Sequence, residues 1–162
     1  MLNNIAVGLG EIKISDDPNT VLVAFGLGSC VGVGIFDPVK GVGGMLHAVL
    51  PSSSSNKNQD TASKYVDSGI QMLISELEKL GLDKKRSKLY VIGGANILMA
   101  NKDSAPFDIG TRNVKAAKAM FEKITWTPDV IETGGHNGRT FRLYIEEGRA
   151  TIRTMGEKEK DI

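Results

Sequence analysis

One stretch limits the folds open to this chain more than any other. It is the run Val31-Gly32-Val33-Gly34-Ile35, answered by Val42 to Leu50 across Asp37-Pro38-Val39-Lys40-Gly41. Branched apolar residues at every second position have the period of a strand, whose side chains alternate between faces. Pro and Gly in the intervening segment suit a turn. The pattern predicts a β-hairpin that places the start of the first run beside the end of the second. Cys30 stands just before the first run and His47 near the end of the second. Cys30 is the only cysteine, and His47 is one of two histidines. The hairpin therefore makes spatial neighbours of two residues seventeen positions apart.

A thiol beside an imidazole is the minimum of a cysteine nucleophile. The thiolate attacks, and the imidazole takes the proton. The segment before Cys30, Gly26-Leu27-Gly28-Ser29, suits the same chemistry. Its glycines allow positive φ and close approach. Consecutive N–H groups around Gly28 and Ser29 can form a concavity for a developing oxyanion. On this reading Cys30 has a depressed pKa. The plainer alternative stays open beside it: a lone cysteine is often a small buried hydrophobe, and a lone histidine in an apolar strand is often a satisfied core residue.

The rest of the chain reads as many short strands and two helices. Ile5 to Ser15 has strand character, and Thr20 to Phe25 is an apolar strand leading to the glycine turn. Ser52 to Asp60 is a polar loop. Thr61 to Leu80 carries one apolar stripe at helical spacing, with Gly81 placed as a C-terminal cap. Lys84-Lys85-Arg86 reads as a solvated turn. Leu89 to Ile92 is a strand running into Gly93-Gly94, a pair better suited to tight backbone packing than to phosphate. Asn101 to Asp108 is a loop, and a second helix runs from about Gly110 to Ile124 with Val114, Ala117, Phe121 and Ile124 inward. Strands follow at Val130 to Thr133, Phe141 to Ile145 and Ala150 to Thr154, and the charged tail from Gly156 is expected to fray. Strands and helices do not alternate regularly. The fold class is therefore α/β with a layered, β-rich core of mixed or antiparallel sheets and helices packed on one face, not a doubly wound sheet.

Composition excludes several functions. The 20 basic and 19 acidic residues leave a net charge of +1, which argues against a nucleic-acid binder driven by counterion release. One cysteine rules out an internal disulfide and a thiolate metal cluster. Met1-Leu2-Asn3-Asn4 has no basic region ahead of an apolar one, and no apolar run approaches membrane-spanning length. A soluble cytoplasmic protein without membrane insertion is expected.

Taken together the segments resemble the CheD family of bacterial chemotaxis proteins. The matching stretches are Gly26-Leu27-Gly28-Ser29-Cys30-Val31, Asp37-Pro38, His47 with Leu50-Pro51, Lys64-Tyr65, Gly93-Gly94-Ala95, Ile109 to Val114 and Thr133-Gly134-Gly135. Their order and spacing run through nearly the whole chain. The resemblance implies one deamidase domain over residues 1–156 with a charged tail at 157–162. It implies a layered α/β fold similar to the deamidase domain of cytotoxic necrotizing factor toxins. It also implies deamidation of glutamine side chains on methyl-accepting chemoreceptors, with the family's active-site Cys and His falling on Cys30 and His47. No metal or organic cofactor is required by that chemistry.

Three positions depart from the family pattern. Ala24 stands where a Thr is usual, Pro51-Ser52-Ser53 where Pro-Asp-Ser is frequent, and His136 where the late loop has Asn. The first removes a hydroxyl that would orient the imidazole. The toxin sites to which the family is similar use a main-chain carbonyl instead, so the Ala24 carbonyl is expected to hold His47. Two other readings stand beside the deamidase. One is a non-catalytic docking module that binds chemoreceptors or a CheC-type phosphatase. The other is a thiol hydrolase of different substrate with His136 as base.

Overall fold

The computed structural model describes residues 1–53, 59–97 and 108–162. The expected loops at Ser52 to Asp60 and Asn101 to Asp108 thus lie largely outside the described residues. Those described form two five-stranded sheets and two α-helices. The first sheet has the order β1 (Asn3–Ala6), β3 (Thr20–Leu27), β8 (Arg139–Tyr144), β9 (Ala150–Thr154), β10 (Lys160–Asp161). The second has the order β2 (Ile12–Ser15), β5 (Val42–Ala48), β4 (Val31–Asp37), β6 (Lys88–Gly93), β7 (Val130–Thr133). Each sheet is antiparallel apart from one parallel pair, β1 with β3 and β6 with β7. Helices α1 (Val66–Lys79) and α2 (Ile109–Lys123) cover one face of the second sheet, and the first sheet covers the other. The layers are helix, sheet and sheet, as the sequence predicts. Among the described residues no helix is long and apolar enough to cross a membrane.

The predicted hairpin is the centre of this arrangement. Strands β4 and β5 pair from Val31↔Ala48 to Asp37↔Val42, and every residue of both is buried. Val31, Val33 and Ile35 face the helices. Gly32 and Gly34 face the first sheet, where a β-carbon on either would press into Leu27 or the Phe141 ring. The alternation of branched residues with glycine is thus two faces of one strand, one packed by its own side chains and one by those of the opposite sheet.

Three expectations change. The strand expected over Ile5 to Ser15 is two strands in different sheets, joined by a crossing at Val7 to Glu11. The helix expected from Thr61 breaks at Tyr65. Residues Gln59–Lys64 form a 3₁₀ turn, and the extended Tyr65 (φ −105°, ψ 141°) precedes α1. The break follows from pairing with the chain leaving β5. The Lys64 carbonyl accepts from Val49 and Leu50, and the Leu50 carbonyl accepts from Val66. The tail does not fray: Lys160 and Asp161 pair with Ile152 and Thr151. Arg142–Glu159 and Arg149–Asp161 ion pairs at 3.0 Å flank that pairing, and Ile162 packs on the inter-sheet core.

The end of β4 remote from Cys30 is tied by a buried carboxylate. Asp37 is fully buried and accepts from the Val39, Lys40 and Asp83 N–H groups and from Arg86 Nε at 2.9 Å. The basic triplet expected as a solvated turn is therefore half anchored. Burial alone would raise the Asp37 carboxyl; the Arg86 bond and the three N–H groups outweigh it and hold the group well below the usual carboxylate range. A depressed carboxyl adds stability above its unfolded pKa of about 4 and loses it as pH falls further. Asp37→Asn should therefore cost about 3 kcal/mol at pH 7 by urea unfolding, the size expected for breaking a buried charged pair. The difference from wild type should shrink on going to pH 3. An equal difference at both pH values would assign the loss to packing.

Candidate active site

Cys30 enters β4 from a loop whose carbonyls are each held from behind. The Gly28 carbonyl accepts from Ala95 N–H at 2.8 Å, and the Cys30 carbonyl accepts from Gly94 N–H at 2.8 Å. Between them, the Ser29 carbonyl accepts from the side-chain amide of Asn113 at 2.8 Å. This closeness needs glycine at 93. Its φ is +107°, and a β-carbon there would collide with the Cys30 carbonyl. The Gly93-Gly94 pair is thus a site of tight backbone packing, as its sequence suggests. The turn into the loop is a β-bulge between Ala24 and Leu27, where Gly26 takes a φ of +58°. Among the described residues no main-chain carbonyl takes up the N–H of Ser29 or Cys30.

His47 lies opposite Gly32 in the β4–β5 ladder. Cys30 precedes Gly32 by two residues, so it is the diagonal neighbour of His47 on one face. Strand alternation puts that face toward the first sheet, and Cys30 packs on the inter-sheet core there. His47 is 3% exposed. Its Nδ1 lies 2.9 Å from the Val7 carbonyl. A carbonyl only accepts, so Nδ1 carries the proton and Nε2 of the neutral ring keeps its lone pair. Nε2 is buried and has no hydrogen-bond partner, Cys30 included.

The orienting carbonyl is therefore that of Val7 and not that of Ala24. Ala24 lies in the β3 ladder opposite Phe141, and ladder carbonyls point along the sheet to neighbouring strands, not across the layer. Val7 stands just beyond β1, where the chain leaves one sheet for the other. Its N–H donates to the Val23 carbonyl at 2.8 Å, and its own carbonyl is free for the imidazole. The same crossing segment grips the backbone of His47: Gly10 N–H donates to the His47 carbonyl at 2.8 Å, and His47 N–H donates to the Glu11 carbonyl at 3.0 Å. A cavity of about 340 Å³ opens beside it, lined by Leu9, Gly10, Val49, Thr61, Ser63 and Lys64.

The electrostatics differ from the expected depressed thiol. Burial pushes the Cys30 thiol up from its ordinary value, and its own backbone N–H offsets only part of this. Burial pushes the His47 imidazole down, against the opposing pull of the Val7 carbonyl and the Glu11 carboxylate. Both effects favour the neutral pair, thiol and imidazole, over the ion pair. His136 is exposed, with Nδ1 3.2 Å from the Asn96 carbonyl. Among the described residues no hydrogen bond joins it to Cys30 or His47. No group of three or more His, Cys, Asp or Glu side chains among them is placed to hold a metal.

Two participants escaped the sequence reading. Val7 acts through its main chain, which leaves no side-chain signal. Asn113 did leave one, since it occupies the apolar stripe of α2 one turn before Ala117.

The family model described as CheD chemotactic sensory transduction matches residues 49–154. A Symbiobacterium thermophilum protein named as a probable chemoreceptor glutamine deamidase CheD is 39% identical over 158 residues, spanning 97% of this chain and 96% of its own. The chain belongs to the CheD family. A Halalkalibacterium halodurans relative, named chemoreceptor glutamine deamidase CheD, is 36% identical over 98% of each chain. A probable one of Pyrococcus abyssi is 37% identical over 96% of this chain and 94% of its own. The family-model match begins after Cys30 and His47; the alignments to these relatives run through the hairpin as well. A solved Neisseria meningitidis protein is 12% identical, with a TM-score of 0.39 over 83% of this chain and 61% of that one, a likeness too loose to bear on the site.

The hydrogen bond to Val7 and the burial of the ring give two expected observations by ¹⁵N NMR. His47 should be the Nδ1–H tautomer at pH 7, and it should titrate below 6.5, its ordinary value. An Nε2–H tautomer would contradict the Val7 hydrogen bond, and titration above 6.5 would contradict the dominance of burial.

Proposed function

We propose that this chain deamidates glutamine side chains of chemoreceptors, with Cys30 as nucleophile and His47 as base. The observation that carries this reading is the buried His47 ring. Its Nδ1 is engaged by the Val7 carbonyl, and its unpartnered Nε2 is on the face shared with Cys30. The names of the relatives supply the substrate class.

The chemistry follows from a neutral pair. The Cys30 sulfur attacks the side-chain carbonyl carbon of glutamine, forming a C–S bond while the thiol proton passes to Nε2. N–H groups at Ser29 and Cys30 receive the oxyanion, with Gly28 shaping the turn that presents them. The imidazolium returns its proton to the departing nitrogen, the C–N bond breaks, and ammonia leaves. Water then gives a proton to Nε2 and attacks the γ-glutamyl thioester, the C–S bond breaks, and the imidazolium returns its proton to the sulfur. Glutamate and free thiol result. No hydrogen bond joins the sulfur to Nε2; catalytic hydrogen bonds of this kind tighten when substrate binds. Base catalysis by His47 requires the neutral ring, so turnover should rise with pH through a value below 6.5 and then level.

The raised thiol also favours a second reading, a docking module for chemoreceptors or a CheC-type phosphatase that needs no reactive sulfur. Mass spectrometry of a cytoplasmic receptor fragment separates the two. The deamidase converts glutamine to glutamate. Cys30→Ala should abolish the conversion and retain binding, and His47→Ala should slow it by about a hundredfold or more. Receptor that binds the wild-type chain and stays unmodified would leave the docking module. Ala24→Thr should change the rate by less than about tenfold, because the Val7 carbonyl remains and one hydrogen bond contributes only about 1 kcal/mol.

A further inference from the structure

We infer that Asn113 is a positioning residue: from α2 it fixes the peptide that carries the Cys30 N–H and the chain just beyond His47 relative to one another. Asn113 is fully buried. Its single amide nitrogen donates to two main-chain carbonyls, Ser29 at 2.8 Å and Val49 at 2.9 Å. Both are acceptors, so only the nitrogen of the amide can face them.

The two bonds have different consequences. The Ser29 carbonyl and the Cys30 N–H belong to one peptide unit, and in a trans peptide they point in opposite directions. Drawing the carbonyl toward α2 turns the N–H away from it. That N–H offsets part of the effect of burial on the Cys30 thiol, and among the described residues no main-chain carbonyl takes it up. Val49 lies two residues beyond His47, where the chain leaves β5 for the segment at Lys64. One side chain thus bridges the two strand ends that carry nucleophile and base, just beyond the last pair of the ladder, Val31 with Ala48.

The Oδ1 of Asn113 is buried without a partner among the described residues, so the amide is placed for what its nitrogen holds, the Ser29 and Val49 carbonyls.

The turnover part of the test rests on the deamidase reading; the thiol part does not. Asn113→Asp keeps the shape and loses the paired donors, and Asn113→Ser keeps one donor. Val114→Ala is the control for packing on the same helix. Each is measured by thermal unfolding, by the pH dependence of Cys30 alkylation with iodoacetamide, and by kcat and KM on the receptor fragment. Asn113→Asp should need higher pH for alkylation and lose about a hundredfold in kcat, as when an oxyanion-hole donor is removed. KM should stay near wild type, and Asn113→Ser should recover part of both losses. Val114→Ala should lower the unfolding midpoint and move neither. Folded Asn113 variants that alkylate and turn over as wild type would overturn the assignment. So would losses that only track the midpoint, as would failure of both variants to fold, which would make Asn113 a determinant of the fold. If alkylation shifts in Asn113→Asp while the wild type leaves receptor unmodified, the positioning role stands and the deamidase reading falls.

Discussion

Burial of the β4–β5 hairpin on both faces is the constraint from which the rest of the site follows. A strand pair sandwiched between helices and a second sheet has no solvent face to absorb error. A slip of one residue would exchange the branched side chains with the glycines and send His47 toward the helices. The register is therefore firmly specified, and with it the diagonal placement of Cys30 and His47. The same burial forces the small residues. Gly32 and Gly34 yield to Leu27 and Phe141, and Gly93 yields to the Cys30 carbonyl. At Gly93 backbone packs directly on backbone, and at Gly32 and Gly34 the absent side chain makes room for those of the opposite sheet.

That burial also decides the electrostatics. In an exposed site a thiol and an imidazole can settle as an ion pair. Between two sheets, separating charge has a desolvation cost that neither one N–H nor a single carbonyl repays in the resting state. The pair therefore rests neutral. In the proposed reaction charge develops only as the sulfur attacks, where N–H groups at Ser29 and Cys30 would meet the negative charge and the Val7 carbonyl would steady the positive ring.

The sequence carried the architecture further than it carried the site. The hairpin, the glycine turn and both helices are legible because each rests on a local signal: a period, a cap or a turn residue. The join between β1 and β2 is not, since an apolar strand pattern does not say which sheet each half will enter. The tail misled for a related reason. Its charges read as solvated, yet Glu159 and Asp161 pair with Arg142 on β8 and with Arg149 just before β9, and Ile162 is left for the core. Of Cys30 and His47, relative position was legible and ionisation was not. Spacing alone cannot tell how much of a thiol will be dry.

The crossing at Val7 has a consequence for how such a site tolerates change. Its contribution to His47 is a peptide oxygen, which every amino acid supplies. Substitutions at position 7 are filtered for fit in the core and not for chemistry, so the orienting group persists through many replacements of the residue that bears it. Its vulnerability is in path length: one residue inserted or deleted between Ala6 and Ile12 would carry a different oxygen, or none, to the imidazole. Catalogues of active sites built from side chains would pass over it, although it settles which nitrogen of His47 keeps its lone pair.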